Sequence, residues 1–416
     1  MPLLVLLGFS VPCELEAQKI SPMAKAPDWT ELDVYQDQVS RDEFVNGLSK
    51  VYTNGTEWKL SIRVHEDRAE ILKQFGKSER YTLRFRPDDA QGKPELERYW
   101  RDPSQLPPLK GRPILSDLHI AIDPGHIGGE WAKIEERWFT MGDGVEIMEG
   151  ELTLKVAKML KTELEKRGAK VTLVRDDLEP ASDKRPADFA SEARRILRAQ
   201  GISRPRLTYK KGDSRIVYTV QWQSEKIFYR THEIRARAAK LNDKIQPDLC
   251  LCLHFNAAAW GNPSDPELTA ENHLHILVNG TYSSGELGYD DQRFQCLKRL
   301  LQNIHGEELA ISGVVASAMA ERTKLPPYTY RKRVARRVND SPYVWARNLL
   351  ANRIFTCPVL YFEPYVMNNS IVYRRLAVGD YLGRSRIEGR MRSSIFQDYT
   401  MGIIDGLEAY YSKHRK

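Results

Sequence analysis

Two histidines and two glutamates stand where apolar runs stop. His126 follows the alternating run His119 to Ile122 and the break Asp123-Pro124-Gly125. His254 follows the wholly apolar run at 249–253, Glu363 closes "CPVLYFE", and Glu149 opens an amphipathic stretch after a loop. In α/β sheets, ligands gather outside the C-terminal ends of the strands, so these side chains are candidates for one cleft. Two imidazoles, one carboxylate and an open position form a common catalytic zinc set. Such a metal takes neutral imidazole and ionised carboxylate, and lowers the pKa of bound water to about 7. A second carboxylate outside the coordination shell then acts as base, moving a proton from water to a leaving amine. Glu363 suits that role by position. The residues alone leave bland readings open. A lone histidine at a strand end is more often a structural hydrogen-bonder. Glu149 competes with Glu146 and Glu151 in "GVEIMEGEL", and a carboxylate in a first helical turn is ordinarily just favourable with the helix dipole.

The elements that must position these residues alternate. The strand at His119–Ile122 precedes a helix from about Glu149 to Arg167, whose Leu152, Val156, Met159 and Leu160 share a face, with Gly168 where a C-terminal cap belongs. "KVTLV" reads as a strand, "THEIRARAAKLNDKI" as a helix, "DLCLCLHF", "HLHILV" and "CPVLYFE" as strands, and "GIIDGLEAYY" as a final helix. This alternation predicts an α/β fold, with a twisted, mostly parallel sheet and helices on both faces. A small α+β domain is expected before it, over 28–100. There Ser40 and Glu43 form a capping box, Phe44, Leu48 and Val51 keep helical spacing, and Trp58, Leu60, Ile62 and Val64 alternate like a strand, as do Tyr81, Leu83 and Phe85. Residues 101–113 read as a proline-rich linker. The catalytic domain is then 114–416, with polar or basic insertions at about 177–228 and 281–340.

Bulk composition excludes little. Hydrophobic residues make up 41% and charged residues 29%, as in ordinary soluble proteins. The net charge of +7 favours polyanionic surroundings without choosing among them. Residues 1–18 read as a secretory leader around the apolar run Leu3 to Val11, although the basic n-region is missing. A lipoprotein anchor at Cys13 fits poorly because of Pro12. No run is long enough for a transmembrane span. Cys250 and Cys252 alternate on one strand, so they share a face and read as buried free thiols rather than as a disulfide or a metal pair.

"IAIDPGHIGG" resembles the opening motif of the zinc-dependent N-acetylmuramoyl-L-alanine amidases of the type 3 family, close to I-x-I-D-P-G-H-G-G. "EGELTLKVAKMLKTELEKRGAKVTLVR" is similar to that family's ligand-bearing helix and next strand. Aligning Leu154 with the leucine of its "E-K-x-x-N-L" pattern selects Glu149 over Glu146 and Glu151. "RAAKLNDKIQPDLCLCLHFNA" resembles a third segment, with Arg237, Asn242, Asp248, His254 and Asn256 in register. "CPVLYFEPYVMNN" resembles the closing segment that carries the catalytic carboxylate. The resemblance spans about 117–176, 232–280 and 341–412. It implies that His126, Glu149 and His254 bind Zn²⁺ and that Glu363 is general base and acid. The bond cleaved would join the lactyl group of N-acetylmuramic acid to the first L-alanine of the peptidoglycan stem. The expected location is exported, periplasmic or associated with the cell envelope. Four residues depart from the pattern: Ile127 for glycine, Phe255 for a small residue, and Pro364 and Tyr365 after Glu363.

The alternative in another class is a non-catalytic peptidoglycan-binding or regulatory protein with the same fold; retention of all four chemical positions speaks against it. A nucleic-acid binder is suggested only by charge, with no recognition helix or stacking motif. An activator or wall-binding partner is left open. The 177–228 insertion is read as a lid, a partner site or surface decoration. His273 and His275 share a strand face and read as core or rim residues. Trp131, Trp138 and Trp260 read as packing, or as sugar-stacking, aromatics. Arg331–Arg337 reads as a solvated face that could meet anionic wall polymers.

Overall fold

Leu249 to Leu253 carries no charge on either side of its pleat, so both sides need cover. In the computed structural model, which describes residues 19–87, 97–210 and 212–415, this run is an interior strand of a seven-stranded sheet. The leader expected at 1–18, with Cys13, lies outside the described residues. The sheet comprises β1 (His119–Pro124), β2 (Lys170–Leu173), β3 (Leu249–Leu253), β4 (Leu274–Val278), β5 (Arg336–Arg337), β6 (Val344–Ala346) and β7 (Val359–Pro364), in the order β5-β6-β4-β7-β3-β1-β2. β2, β1, β3 and β7 run parallel. β4 is antiparallel to β7, and β6 is parallel to β4. The sheet is thus mostly parallel, as the βα alternation predicts.

The period-2 pleat sorts β3 between two cores. Leu249, Leu251 and Leu253 face α1 (Glu149–Lys166), α3 (Ile304–Thr323) and α4 (Ile395–His414), through Val156, Leu160, Ile311, Val315, Ile403 and Leu407. Cys250 and Cys252 face the other way, onto Ala238, Leu241, Ile354 and Phe355, and both thiols are free. Helices therefore cover both faces.

The N-terminal unit forms the expected capping box at Ser40 and Glu43, and a three-stranded antiparallel sheet. One expected strand is shorter than the alternation suggests. Glu57–Leu60 is a tight 3-10 turn, and only Ile62–Val64 pairs. The Trp58 indole N–H donates to Gly55 O at 2.9 Å, which pins the turn and leaves Leu60 69% exposed. The unit does not close its own core. Phe44, Leu48, Tyr52 and Leu83 share one cluster with Tyr282, Phe294, Leu297 and Leu300, which come from α2 (Asp290–Leu301) and the segment before it. The proline-rich stretch is also packed down. Trp100 is buried on the Cys250 face of the sheet, and Arg101 donates to Asp248 at 2.7 Å.

The other insertion ends in a helix with no break. Val220–Ile227, Phe228–His232, Glu233–Ala239 and Lys240–Ile245 run on as one helical rod with two π-type turns. The rod ties the insertion to Arg237 and to the sheet. Among the described residues no helix is long and apolar enough to cross a membrane.

A shared core makes a local expectation. Leu297→Ala should destabilise the protein by about 2–5 kcal/mol. It should also lower the urea midpoint reported by Trp29 and Trp58 in the N-terminal unit, although Leu297 lies more than two hundred residues downstream in the chain. An unshifted tryptophan transition would mean that the unit folds apart from α2.

Candidate active site

β1 ends by burying Asp123, whose two oxygens accept from Arg237 Nη1, each at 2.9 Å. The chain then passes Gly125, where a Cβ would lie 2.2 Å from His254 Cε1, so only glycine lets the two loops touch. His126 follows with φ 58°, a left-handed conformation that costs an L-residue roughly 1 kcal/mol and must be held. Three things hold it. The Glu135 carboxylate accepts from Ile127 N at 2.9 Å and Gly128 N at 3.1 Å, and lies 3.5 Å from His126 Nδ1. Arg175 donates to the His126 carbonyl. Gly128 and Gly150 meet backbone to backbone, so close that a Cβ on Gly150 would sit 2.3 Å from Gly128 N. That approach sets the first turn of α1 against the His126 loop.

Glu149 opens α1 and is buried. Its Oε2 lies 3.4 Å from His126 Nε2, and its Oε1 lies 3.0 Å from His254 Nδ1 and accepts from Phe255 N at 3.2 Å. His254, at the end of β3, is stacked on Tyr361 with ring centroids 4.3 Å apart, and its carbonyl accepts from the Tyr399 hydroxyl. One donor atom from each of His126, Glu149 and His254 lies within 4.8 Å of the others. Neither Glu146 nor Glu151 joins this group. Two imidazole nitrogens and an ionised carboxylate converging on one point match the donor chemistry of a Zn²⁺ site. The carboxylate beside the remote nitrogen of His126 matches the outer support such ligands need.

Glu363, from β7, faces the same cleft of about 230 Å³. The walls include Arg137, His275, Tyr328, Tyr330, Arg347 and Tyr361. Register places His275 directly opposite Glu363 across the β4–β7 pair. The two glutamates are driven apart in acidity. Burial alone would raise Glu149, but His126, His254 and Arg137 outweigh it and hold its carboxyl at about 2. Burial, then the charge of Glu149, pushes Glu363 up to about 8, with Arg137, His126 and Arg347 opposing. A divergent pair of this kind separates a permanent anion from a proton carrier.

Residues 120–341, more than half of the chain, match the sequence family described as N-acetylmuramoyl-L-alanine amidase. The chain belongs to that family. Solved structures are similar to it at low identity. The CwlD amidase from Clostridioides difficile, in complex with the GerS lipoprotein, is 14% identical with a TM-score of 0.36, covering 71% of this chain and 100% of that one. The amidase Ami1 from Mycobacterium smegmatis is 13% identical with a TM-score of 0.38, covering 72% and 99%. The amidase AmiC2 of Nostoc punctiforme is 15% identical with a TM-score of 0.33, covering 70% and 97%. No curated protein matches in sequence. The assignment rests on the family match, which stops short of Glu363.

Three of the four departures from the family pattern have a packing cause. Ile127 is 1% exposed and inserts among Phe189, Leu197, Val220 and Phe228, the core of the 177–228 insertion. It is the plug that docks the insertion onto the His126 loop. Phe255 fills the main core beside Tyr399, and Tyr365 is fully buried near Arg375. Among the tryptophans, Trp131 packs on Phe228 and Trp260 on Phe139; with Trp138, none lines the cleft. Arg137, Glu135, Tyr328, Tyr330 and Arg347 were not singled out by motif. Glu135 ends a single helical turn and the others come from loops, none with a usable periodicity, and only the fold brings them together.

Two outcomes follow from this geometry. Ile127→Ala should cost about 2–5 kcal/mol in chemical denaturation and raise hydrogen exchange in both 126–128 and 189–197, because one side chain joins them. An effect confined to one segment would refute the docking role. For Glu363, a carboxyl with a folded pKa near 8 against 4.5 when free holds more protons when folded between those values. Its burial therefore costs stability increasingly as pH rises through that window. In chelator-treated protein, Glu363→Gln should match wild type below the window and melt higher above it. A variant that melts lower above pH 8 would contradict the assigned direction.

Proposed function

We propose that the protein is a zinc-dependent N-acetylmuramoyl-L-alanine amidase. Its reaction hydrolyses the amide between the lactyl group of N-acetylmuramic acid and the first L-alanine of the peptidoglycan stem. The observation that carries this reading is the convergence of His126, Glu149 and His254 beneath Glu363, in one cleft of a family member. His126, Glu149 and His254 would hold Zn²⁺, which supplies Lewis acidity at the scissile carbonyl and lowers the pKa of water. The chain's own residues do the rest. Glu149 remains ionised and balances the metal charge. Glu135 keeps the proton of His126 on Nδ1, which leaves Nε2 free to ligate. Tyr361 fixes the plane of His254 by stacking. Glu363 takes a proton from water on its carboxylate and returns it to the alanine nitrogen as the C–N bond breaks. Burial raises its proton affinity above that of an ordinary carboxylate, which suits a group that must hold a proton between the two transfers. Arg137 and Arg347 stop that carboxyl from becoming too basic.

Such a substrate places the protein outside the cytoplasm, in keeping with the apolar N-terminal run. The competing reading, a wall-binding protein without turnover, gives no reason for a second buried carboxylate in the same cleft.

Purified sacculi should release stem peptides with a free N-terminal alanine, identified by mass spectrometry. Glu363→Ala should lower the rate by about 10²–10⁴-fold while zinc binding persists. Chelation should abolish release, and zinc should restore it. Intact sacculi under zinc-replete conditions would favour the non-catalytic reading, and cleavage between sugars would exclude this bond.

A further inference from the structure

Several arginines buried around the sheet pair with carboxylates: Arg237 with Asp123, Arg299 with Glu308, Arg293 with Asp290 and Arg375 with Asp398. Arg175 and Arg353 are instead satisfied by carbonyls and by side-chain amide oxygens. In the cleft, Arg137 lies 3.4 Å from Glu149. Arg347 is different. It is half-buried in the cleft wall, and among the described residues no carboxylate forms an ion pair with it. Glu363 feels its charge without ion-pair contact, so this partly desolvated guanidinium has a carboxylate only at a distance and hydrogen-bonding capacity to spare.

Yet Arg347 is held in place. It follows β6, and its N–H donates to Val278 O at 2.9 Å. Nη1 donates to the Tyr330 hydroxyl at 3.4 Å, and the guanidinium carbon lies 5.7 Å from the Tyr330 ring centre. Tyr330 is itself fixed, by His275 Nε2 at 3.0 Å and by an edge contact with Trp345 at 5.3 Å. Tyr328 packs on His275 from the other side at 4.9 Å. Both tyrosines come from the 281–340 insertion, so that insertion braces the wall on which Arg347 sits.

We propose that Arg347, braced by Tyr330, is an anion-binding group for a free carboxylate on the stem-peptide residue next to the alanine. The cleft would then select that carboxylate over its carboxamide. This rests on the amidase reading above. The chemistry of that substrate points to the peptide side. The lactyl carboxyl is consumed in the scissile amide, and the sugar's hydroxyl and acetamido groups are neutral, so ionised groups near the bond belong to the peptide. Arg347 lines the same cleft, of about 230 Å³, as His126, Glu149, His254 and Glu363, which sets it beside groups near that bond. Arginine's planar fork matches a carboxylate in two-point contact, and a carboxamide offers it one neutral acceptor.

The test uses two synthetic muramyl dipeptides that differ only in carboxylate or carboxamide at the second residue. Wild type should show a KM lower by about 10–100-fold for the carboxylate, the worth of one charged hydrogen-bonded pair. Arg347→Met should bring the two KM values to within about threefold, and Arg347→Lys, which keeps the charge without the fork, should retain part of the difference. Equal KM values in wild type would overturn the proposal. So would an Arg347→Met protein that keeps its discrimination and loses kcat on both compounds, since Arg347 would then act only through Glu363. Calorimetric binding of both compounds to zinc-loaded Glu363→Gln protein needs no turnover. Tighter binding of the carboxylate there, with no hydrolysis by wild type, would sink the amidase reading and leave the anion site standing. Equal binding there would sink the anion site whatever the hydrolysis shows.

Discussion

A carboxylate buried as deeply as Glu149 stays ionised only where positive charge and hydrogen-bond donors close around it, and much of the architecture near the site meets that condition. His126, His254 with the adjacent Phe255 N–H, and Arg137 approach it from three different stretches of chain. Each approach needs a local concession. Gly125 gives up a side chain so that His254 can come near, Gly128 and Gly150 give up theirs so that α1 can begin against the loop, and His126 accepts a left-handed backbone. The same anion then shapes Glu363, whose carboxyl is pushed upward by the charge of Glu149 as well as by burial. One buried charge thus orders the histidines and sets the acidity of the group above them.

The loop that presents His126 is held from outside as firmly as from inside. Glu135 gathers two backbone N–H groups and the far nitrogen of the imidazole. Ile127 carries the loop into the core of the 177–228 insertion. That insertion flows into the helix bearing Arg237, which pairs with Asp123 at the end of β1. The insertion is therefore part of the frame around His126, and not a decoration on it. The second insertion does the equivalent work on the opposite wall, closing the N-terminal core through α2 and supplying Tyr328 and Tyr330 to the cleft.

Several features were legible in the residues because local rules govern them. The alternation of apolar strands with amphipathic helices implied a covered, mostly parallel sheet, and the β3 cysteines fell on one face as the period-2 pleat requires. His126, His254 and Glu363 could be singled out because ends of parallel strands share one edge of the sheet. Leu60 was misjudged because alternation cannot tell a strand from a turn pinned by an indole hydrogen bond. Glu149 needed the family resemblance, since Glu146 and Glu151 stand within the same helical start and composition treats them alike.

By itself, then, the sequence determined the sheet, the order of its helices and which strand ends carry chemistry, because backbone periodicity and side-chain polarity act over a few residues. Tertiary structure decided the rest. It chose Glu149 by bringing Gly150 against Gly128, gave Ile127 a core to fill, and set His275 across from Glu363 by strand register. It also left Arg347 without a carboxylate in ion-pair contact among the described residues. These outcomes depend on distances between segments far apart in the chain, and such distances are fixed by packing and register, which no local pattern encodes.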